Sequence, residues 1–318
     1  MEPVIKPVDR KLIIEELHSD KFIRNTRRGD NKIYEITAHD SPHAMREVAR
    51  LREISFRLAG GGTGKALDMD QFDTDSQNAY KQLIVWDPKD QEILGGYRYI
   101  QCAGLEMKHL ATSELFTFSD QFKKEYLPFT IELGRSFIQP NYQSTNIRRK
   151  GLYALDNLWD GLGALMLKYP HIKYFFGKVT MYSSYNLRAR NTLLNFLNKY
   201  FNDKDNLVVP ISPLKYDSSN PYFAQLFEHE DYKESYKHLS KEIRMLGENI
   251  PPLINSYMNL SPTMRVFGTA INKDFGGVEE TGIMISISEI YPEKIERYIT
   301  PLRRLAIKFQ PKWWRNKN

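Results

Sequence analysis

The chain has 318 residues, a formal net charge of +6, and 41% hydrophobic against 26% charged residues, so it can bury a large core and lacks the composition of a disordered protein. Its one cysteine, Cys102, excludes an internal disulfide or a thiolate metal cluster within a chain and fits a reducing compartment. No signal-peptide core or membrane-length apolar window is present, which points to the cytoplasm, and the basic balance favours an acidic partner: nucleic acid, anionic lipid, a phosphorylated cofactor or an acidic carrier protein.

Residues 1–30 are polar and read as an N-terminal arm with one short helix near Leu12 to Leu17. Lys32 to Thr37 alternates like a strand. Ser41 and Pro42 then supply an N-cap and a first-turn proline for a helix running to about Leu58. Val48, Leu51, Ser55 and Leu58 are expected to face the core and Arg50, Glu53 and Arg57 the solvent, with Arg52 and Phe56 sharing a face. The glycines of residues 59–64 read as a mobile substrate-side loop, because no Lys-Ser/Thr follows at P-loop spacing. Asp68, Asp70, Asp73 and Asp75 come next. Their stretch lacks the central glycine and final glutamate of an EF-hand, and a solvated acidic turn is the plainer reading.

Lys81 to Asp87 and Glu92 to Ile100 form a predicted antiparallel hairpin that should lie beside Phe129 to Ile138. This last run is apolar and bounded by Pro128 and Pro140, yet carries Glu132 and Arg135. A strand-end ion pair explains the two charges as readily as chemistry does. Arg148, Arg149, Lys150 and Gly151 precede a helix marked by Leu155, Leu158, Trp159, Leu162, Leu165 and Met166 and ended by Pro170. Basic residues at a helix start suit a phosphate, and equally a plain surface turn. His171 to Met181 reads as another buried strand, completing a strand, helix, strand unit. Beyond it the pattern predicts a helix at Ser183 to Tyr200, a polar connection with a short strand at Leu207 to Pro210, and a charged helix at His229 to Leu246. A short helix at Ile250 to Leu260 and strands at Met264 to Ile271 and Gly282 to Ile290 follow. The tail, residues 301–318, mixes cations with Trp313 and Trp314, which suits a lipid headgroup interface, a nucleic-acid arm or a disordered end.

Taken in order, Val48 to Phe56, Asp68 to Asp73, Leu83 to Pro88, Leu94 to Arg98, Glu132-Leu-Gly-Arg135 through Ile138, and Ile250 to Tyr257 resemble the ornithine lipid and glycine lipid N-acyltransferases. These form a branch of the GNAT superfamily often labelled hemolysin-like, and the likeness covers roughly residues 35–290. The pattern is also similar to that of acyl-homoserine-lactone synthases, through Arg52 with Phe56, three acidic residues, Arg98, and Glu132 with Arg135. Glycine stands where those synthases carry serine before Arg135, and the chain runs well beyond their usual end, which favours the lipid enzymes.

The resemblance implies an α/β (α+β) GNAT-like fold: a mixed, mostly antiparallel, splayed sheet flanked by helices, with a C-terminal extension. The expected organisation is an arm at 1–30, an acyltransferase core at 31–200, an extension at 201–300 packed on it, and the tail at 301–318. The implied reaction moves a 3-hydroxyfatty acyl group from acyl carrier protein to an amino acid, glycine first and ornithine second, in bacterial aminolipid synthesis. No tightly bound cofactor or metal is expected. The cosubstrate is acyl-phosphopantetheine on the carrier protein, or acyl-CoA, held near Gly134, Arg148, Arg149, Lys150 and Gly151.

Glu132 is the expected base and the backbone near Gly134 the expected oxyanion donor, with Arg135, Asp70 and Asp73 completing the catalytic set. Arg52, Phe56, Asp68 and Arg98 support it. The tail is expected to touch the anionic inner face of the cytoplasmic membrane, and no nucleic-acid partner is expected. Two other readings stand beside this one: an acyl-homoserine-lactone-like synthase, and a non-catalytic GNAT-like module that sits on membranes or nucleic acid.

Overall fold

The computed structural model describes residues 1–143, 151–228 and 231–300. Its strands are β1 (Phe22–Asn25), β2 (Lys32–Ile36), β3 (Lys81–Asp87), β4 (Glu92–Gln101), β5 (Phe116–Phe118), β6 (Thr130–Ile138), β7 (Tyr174–Met181), β8 (Val208–Pro210), β9 (Arg265–Asn272) and β10 (Val278–Ser286). Its α-helices are α1 (Arg10–Glu16), α2 (Pro42–Leu58), α3 (Gln71–Thr74), α4 (Gly151–Lys168), α5 (Leu187–Phe201), α6 (Pro221–Leu226), α7 (Tyr232–Met245), α8 (Pro252–Met258) and α9 (Pro292–Tyr298).

One sheet has the order β1-β2-β3-β4-β6-β7-β10-β9, and β5 and β8 pair separately. Every neighbouring pair in the large sheet is antiparallel except β6 and β7. A parallel pair needs a crossover, and α4 lies between those two strands in the chain. The predicted hairpin is β3 and β4, joined across Asp87 and Glu92.

Side-chain alternation along the strands sorts the core onto two faces. Leu83, Val85, Tyr97, Tyr99, Ile131, Phe175, Ile283 and Ile285 pack on one face with Leu158, Trp159, Leu162 and Leu165 of α4 and with apolar residues of α5, α7 and α8. On the other face, Ile36, Ile84, Trp86 and Phe137 meet Met45, Val48, Ala49 and Phe56 of α2. Tyr80, Ile100, Phe176 and Met284 meet the aromatic residues of β5 and Phe122.

Several expectations are corrected. The first thirty residues are more than an arm, because Phe22–Asn25 is an edge strand paired with β2, and Arg27 bonds Asp160 of α4 at 2.6 Å. Leu58, at the last turn of α2, is 72% exposed, whereas Glu53 is fully buried. Glu53 goes inward because the glycine loop needs an acceptor: the Thr63 and Gly64 N–H groups and the Thr63 hydroxyl all donate to it, and Arg57 pairs with it. The last strand begins at Val278, ahead of the apolar run, because Gly276 and Gly277 both adopt positive φ and turn the chain there. That places Glu280 on the sheet opposite Ala270 and Thr180. The sheet therefore runs across the expected boundary at residue 200, with β10 hydrogen-bonded to β7 and β9 to β10.

Candidate active site

β6 and β7 pair only from Thr130 with Tyr174 to Leu133 with Gly177, although they continue to Ile138 and Met181. Beyond that point they part. The last contact is close: a Cβ added to Gly177 would lie 2.5 Å from the Leu133 carbonyl oxygen, so only glycine fits there.

On the other side of β6 the register jumps, Arg98 facing Gly134 but Gly96 facing Phe137. Two steps on β4 thus match three on β6, which is a β-bulge. Arg135 occupies it with φ of 50°, a left-handed conformation rare outside glycine. The extra residue also reverses side-chain parity. Glu132 and Phe137 are an odd number of residues apart yet both point to the α2 face, and Arg135 turns to that face too.

There the predicted charges converge. Arg135 Nε lies 3.0 Å from Asp68 Oδ2, and its Nη2 3.6 Å from Asp70. Arg98 reaches Asp70 at 2.7 Å and Asp73 at 3.2 Å. Arg52, fully buried, bonds Asp73 at 3.0 Å and also Gln82. The acidic stretch is therefore an organised turn rather than a solvated one: Asp70 and Asp73 form a capping box around α3, and the Asp68 N–H donates to the Ala49 carbonyl of α2. Three arginines face three aspartates, so the cluster is neutral overall, which is how so much charge stays buried. Burial pushes Asp70 up, but Arg98, by charge and hydrogen bond, with Arg135 and Arg52, outweighs it and holds Asp70 well below the usual carboxylate range. For Asp68 burial wins over the same arginines and its pKa is raised. Phe56 meets Phe275 edge-on, and Arg135 stacks over that ring at 4.1 Å.

Glu132 sits behind this cluster, 1% exposed. The Tyr80 hydroxyl donates to its Oε1 at 2.7 Å, and the Thr112 hydroxyl and N–H donate to Oε2 and Oε1 at 2.6 and 3.2 Å. Burial raises its pKa, partly offset by those hydroxyls and by the charges of Arg98 and Lys178. Tyr80 in turn accepts the Ala111 N–H at 2.9 Å. Both carboxylate oxygens are thus engaged, and Glu132 does not line the cleft between the parted strands.

That cleft encloses about 780 Å³ and is lined by Phe56, Arg135 to Ile138 of β6, Lys178 to Met181 of β7, Leu155 and Leu158 of α4, Leu253 of α8, Phe275 and Glu280. It adjoins an inner cavity of about 50 Å³ lined mainly by apolar and aromatic residues, among them Tyr97, Leu133, Trp159, Leu162, Phe175, Tyr257 and Ile283, together with Arg135, Ser136 and Lys178. Gly134 lies opposite Arg98 at the start of the bulge. Gly151 begins α4, and Arg148, Arg149 and Lys150 lie outside the described residues. Sequence reasoning missed Tyr80 and Thr112 as partners of Glu132, and Lys178 with Glu280, an ion pair facing the cleft. No local pattern marks these four, because their meaning comes only from cross-strand placement.

A sheet whose central parallel strands part over an apolar cavity, with a bulged strand beside the opening, defines an acyltransferase of the GNAT class. Residues 51–150 match the family described as acetyltransferase (GNAT) domain. The glycine N(alpha)-acyltransferase of Phocaeicola vulgatus is 54% identical over 304 residues, 94% of this chain and 93% of the relative. That of Bacteroides thetaiotaomicron is 56% identical over 304 residues, 94% of this chain and 90% of the relative. A solved CoA-dependent acyl-homoserine lactone synthase is 12% identical, with a TM-score of 0.41, over 84% of this chain and 87% of that one. The chain belongs to the glycine N(alpha)-acyltransferase family.

Proposed function

We propose that this acyltransferase acylates the amino group of glycine, taking a (3-hydroxy)fatty acyl group from the thioester of acyl carrier protein for the synthesis of an aminolipid. The observation that carries the transfer reading is the parting of β6 and β7 beyond Leu133 and Gly177, which opens onto an apolar cavity beside the Arg135 bulge. The names of the two bacterial relatives support glycine as acceptor. The basic sequence Arg148, Arg149, Lys150 supports an acidic carrier as donor, with acyl-CoA suiting the same segment. The mixture of cations with Trp313 and Trp314 supports contact of the tail with anionic lipid. Among the described residues no helix is long and apolar enough to cross a membrane.

In the proposed step the amine attacks the thioester carbonyl, the C–N bond forms, the C–S bond breaks and the sulfur leaves as thiolate, which finally takes up the proton that the amine releases. Backbone N–H groups released from the ladder at the bulge near Gly134 steady the oxyanion. The amine proton passes through water to Glu132, whose carboxylate the Tyr80 and Thr112 hydroxyls hold in place. Arg52, Asp68, Asp70, Asp73, Arg98 and Arg135 hold the frame. Purified protein with 3-hydroxyacyl carrier protein and single amino acids should yield N-acylglycine by mass spectrometry. Absence of product with every amino acid would favour a non-catalytic binding module, and product from ornithine alone would replace the acceptor. Glu132→Gln, if folded, should slow single-turnover transfer about a hundredfold or more; a rate near wild type across pH removes Glu132 from the proton path.

A further inference from the structure

β7 carries a lysine at the place where its pairing with β6 stops. The last pair is Leu133 with Gly177, so Lys178 is the first residue of β7 beyond it. Phe175 and Val179 belong to the α4 face and Phe176 to the other, so alternation sends Lys178 to the α2 face, the one to which Arg135 turns. Lys178 lines both the cleft and the inner cavity, and only 10% of its side chain is exposed. A lysine so placed needs a partner and a reason.

The partner is Glu280 of β10, which also lines the cleft. Glu280 is held from two further sides, by the Thr180 hydroxyl and the Asn272 amide N–H, each donating at 3.3 Å. Three adjacent strands thus build the pair, and the charge of Glu280 is shared among three donors. Lys178 has three N–H groups, and among the described residues Glu280 is the acceptor that it meets. Arg135, the other cation lining the cleft among the described residues, is already engaged with Asp68 and Asp70. Desolvation offsets most of the attraction in a buried ion pair, so stability is a weak reason for one at a reaction cleft. The basic sequence Arg148 to Lys150 precedes α4, which packs on the opposite face of the sheet. A donor held from that side leaves the α2 side of the opening to the acceptor.

We propose that the Lys178 ammonium, aimed by Glu280, binds the α-carboxylate of the acceptor amino acid on the α2 side of the opening, and so selects amino acids over amines that lack a carboxylate. This rests on the acyl-transfer reading of the site. In an α-amino acid a single carbon separates carboxylate from amine, so a cation at the parting of β6 and β7 holds the one while the other reaches a thioester carbonyl between the strands. Glu280 is a positioning residue, which touches the lysine and not the acceptor.

The test compares glycine with glycinamide, which lacks the carboxylate, as acceptors for one 3-hydroxyacyl carrier protein thioester at equal concentrations of free amine, read as N-acyl product by mass spectrometry. The wild-type protein should favour glycine about tenfold or more, the worth of one hydrogen bond between charged groups. Lys178→Met combined with Glu280→Gln removes both charges and leaves neither buried alone. It should lower that preference about tenfold, through a raised KM for glycine. An equal loss with both acceptors overturns the proposal, because the pair would then serve the frame or the thioester. So does a wild-type protein that takes glycinamide as readily as glycine, a result that needs no variant. Product from neither acceptor nor any other amino acid removes the acyl-transfer reading instead, so the two failures are told apart.

Discussion

At the scale of the residue, Glu132 and Asp70 lie in one buried region and are shifted in opposite directions. Asp70 is held low, so its contribution to stability is present above the ordinary aspartate range and is lost as pH falls through its depressed value. Glu132 is raised by burial, so its contribution is complete below the ordinary glutamate range and is lost as pH rises through its raised value. Chemical denaturation of Asp70→Asn and Glu132→Gln beside wild type, from neutral towards acid, should therefore show opposite trends. The advantage of wild type over Asp70→Asn should shrink on acidification, and wild type should gain on Glu132→Gln. Parallel trends would mean that one of the two environments is misassigned. The residues of this cluster were legible because charges in apolar runs are costly and need partners. Tyr80 and Thr112 were not, since a tyrosine and a threonine are ordinary in any sequence.

At the scale of the element, the bulge in β6 sets two preferences against each other. A left-handed conformation costs a non-glycine residue about 1–2 kcal/mol, so Arg135→Gly relieves strain. It also leaves Asp68, fully buried, without its ion-pair partner, and breaking a buried pair typically costs about 3–5 kcal/mol. The second effect is larger. Arg135→Gly should lose about 2 kcal/mol or more, visible as a lower denaturant midpoint with an unchanged slope. A midpoint at or above wild type would show that Asp68 does not depend on this arginine. The hairpin, α2, α4 and the run of β6 were readable from periodicity and proline punctuation. The bulge was not, because a one-residue slip leaves the apolar pattern intact and is decided by what lies on each side of the strand. The early start of β10 was hidden in the same way, since charged Glu279 and Glu280 look like loop residues until Arg190 and Lys178 are seen to neutralise them.

At the scale of the whole molecule, a chain of net charge +6 and a strongly acidic donor attract each other at long range, and salt screens that attraction. With acyl carrier protein as donor, kcat/KM should fall steeply with ionic strength while single-turnover transfer on the formed complex changes little. Charge reversal at Arg148 and Arg149 should flatten the dependence. A kcat/KM insensitive to salt would argue for a donor without the carrier's charge. The same scale explains why the division at residue 200 does not describe the sheet. β9 and β10 supply its far edge, and Ile283 and Ile285 of β10 close the cavity floor.

Sequence by itself determined the residue types of the charge cluster, the order of the principal elements and the resemblance to a lipid N-acyltransferase, because local periodicity, capping and the rarity of buried charge are written along the chain. Tertiary structure alone decided that Arg135 turns to the α2 face, that Glu132 is enclosed by Tyr80 and Thr112, and that β6 and β7 part beyond Leu133 and Gly177. Each of these depends on groups far apart in sequence meeting across strands, where one residue of register exchanges the faces of the sheet.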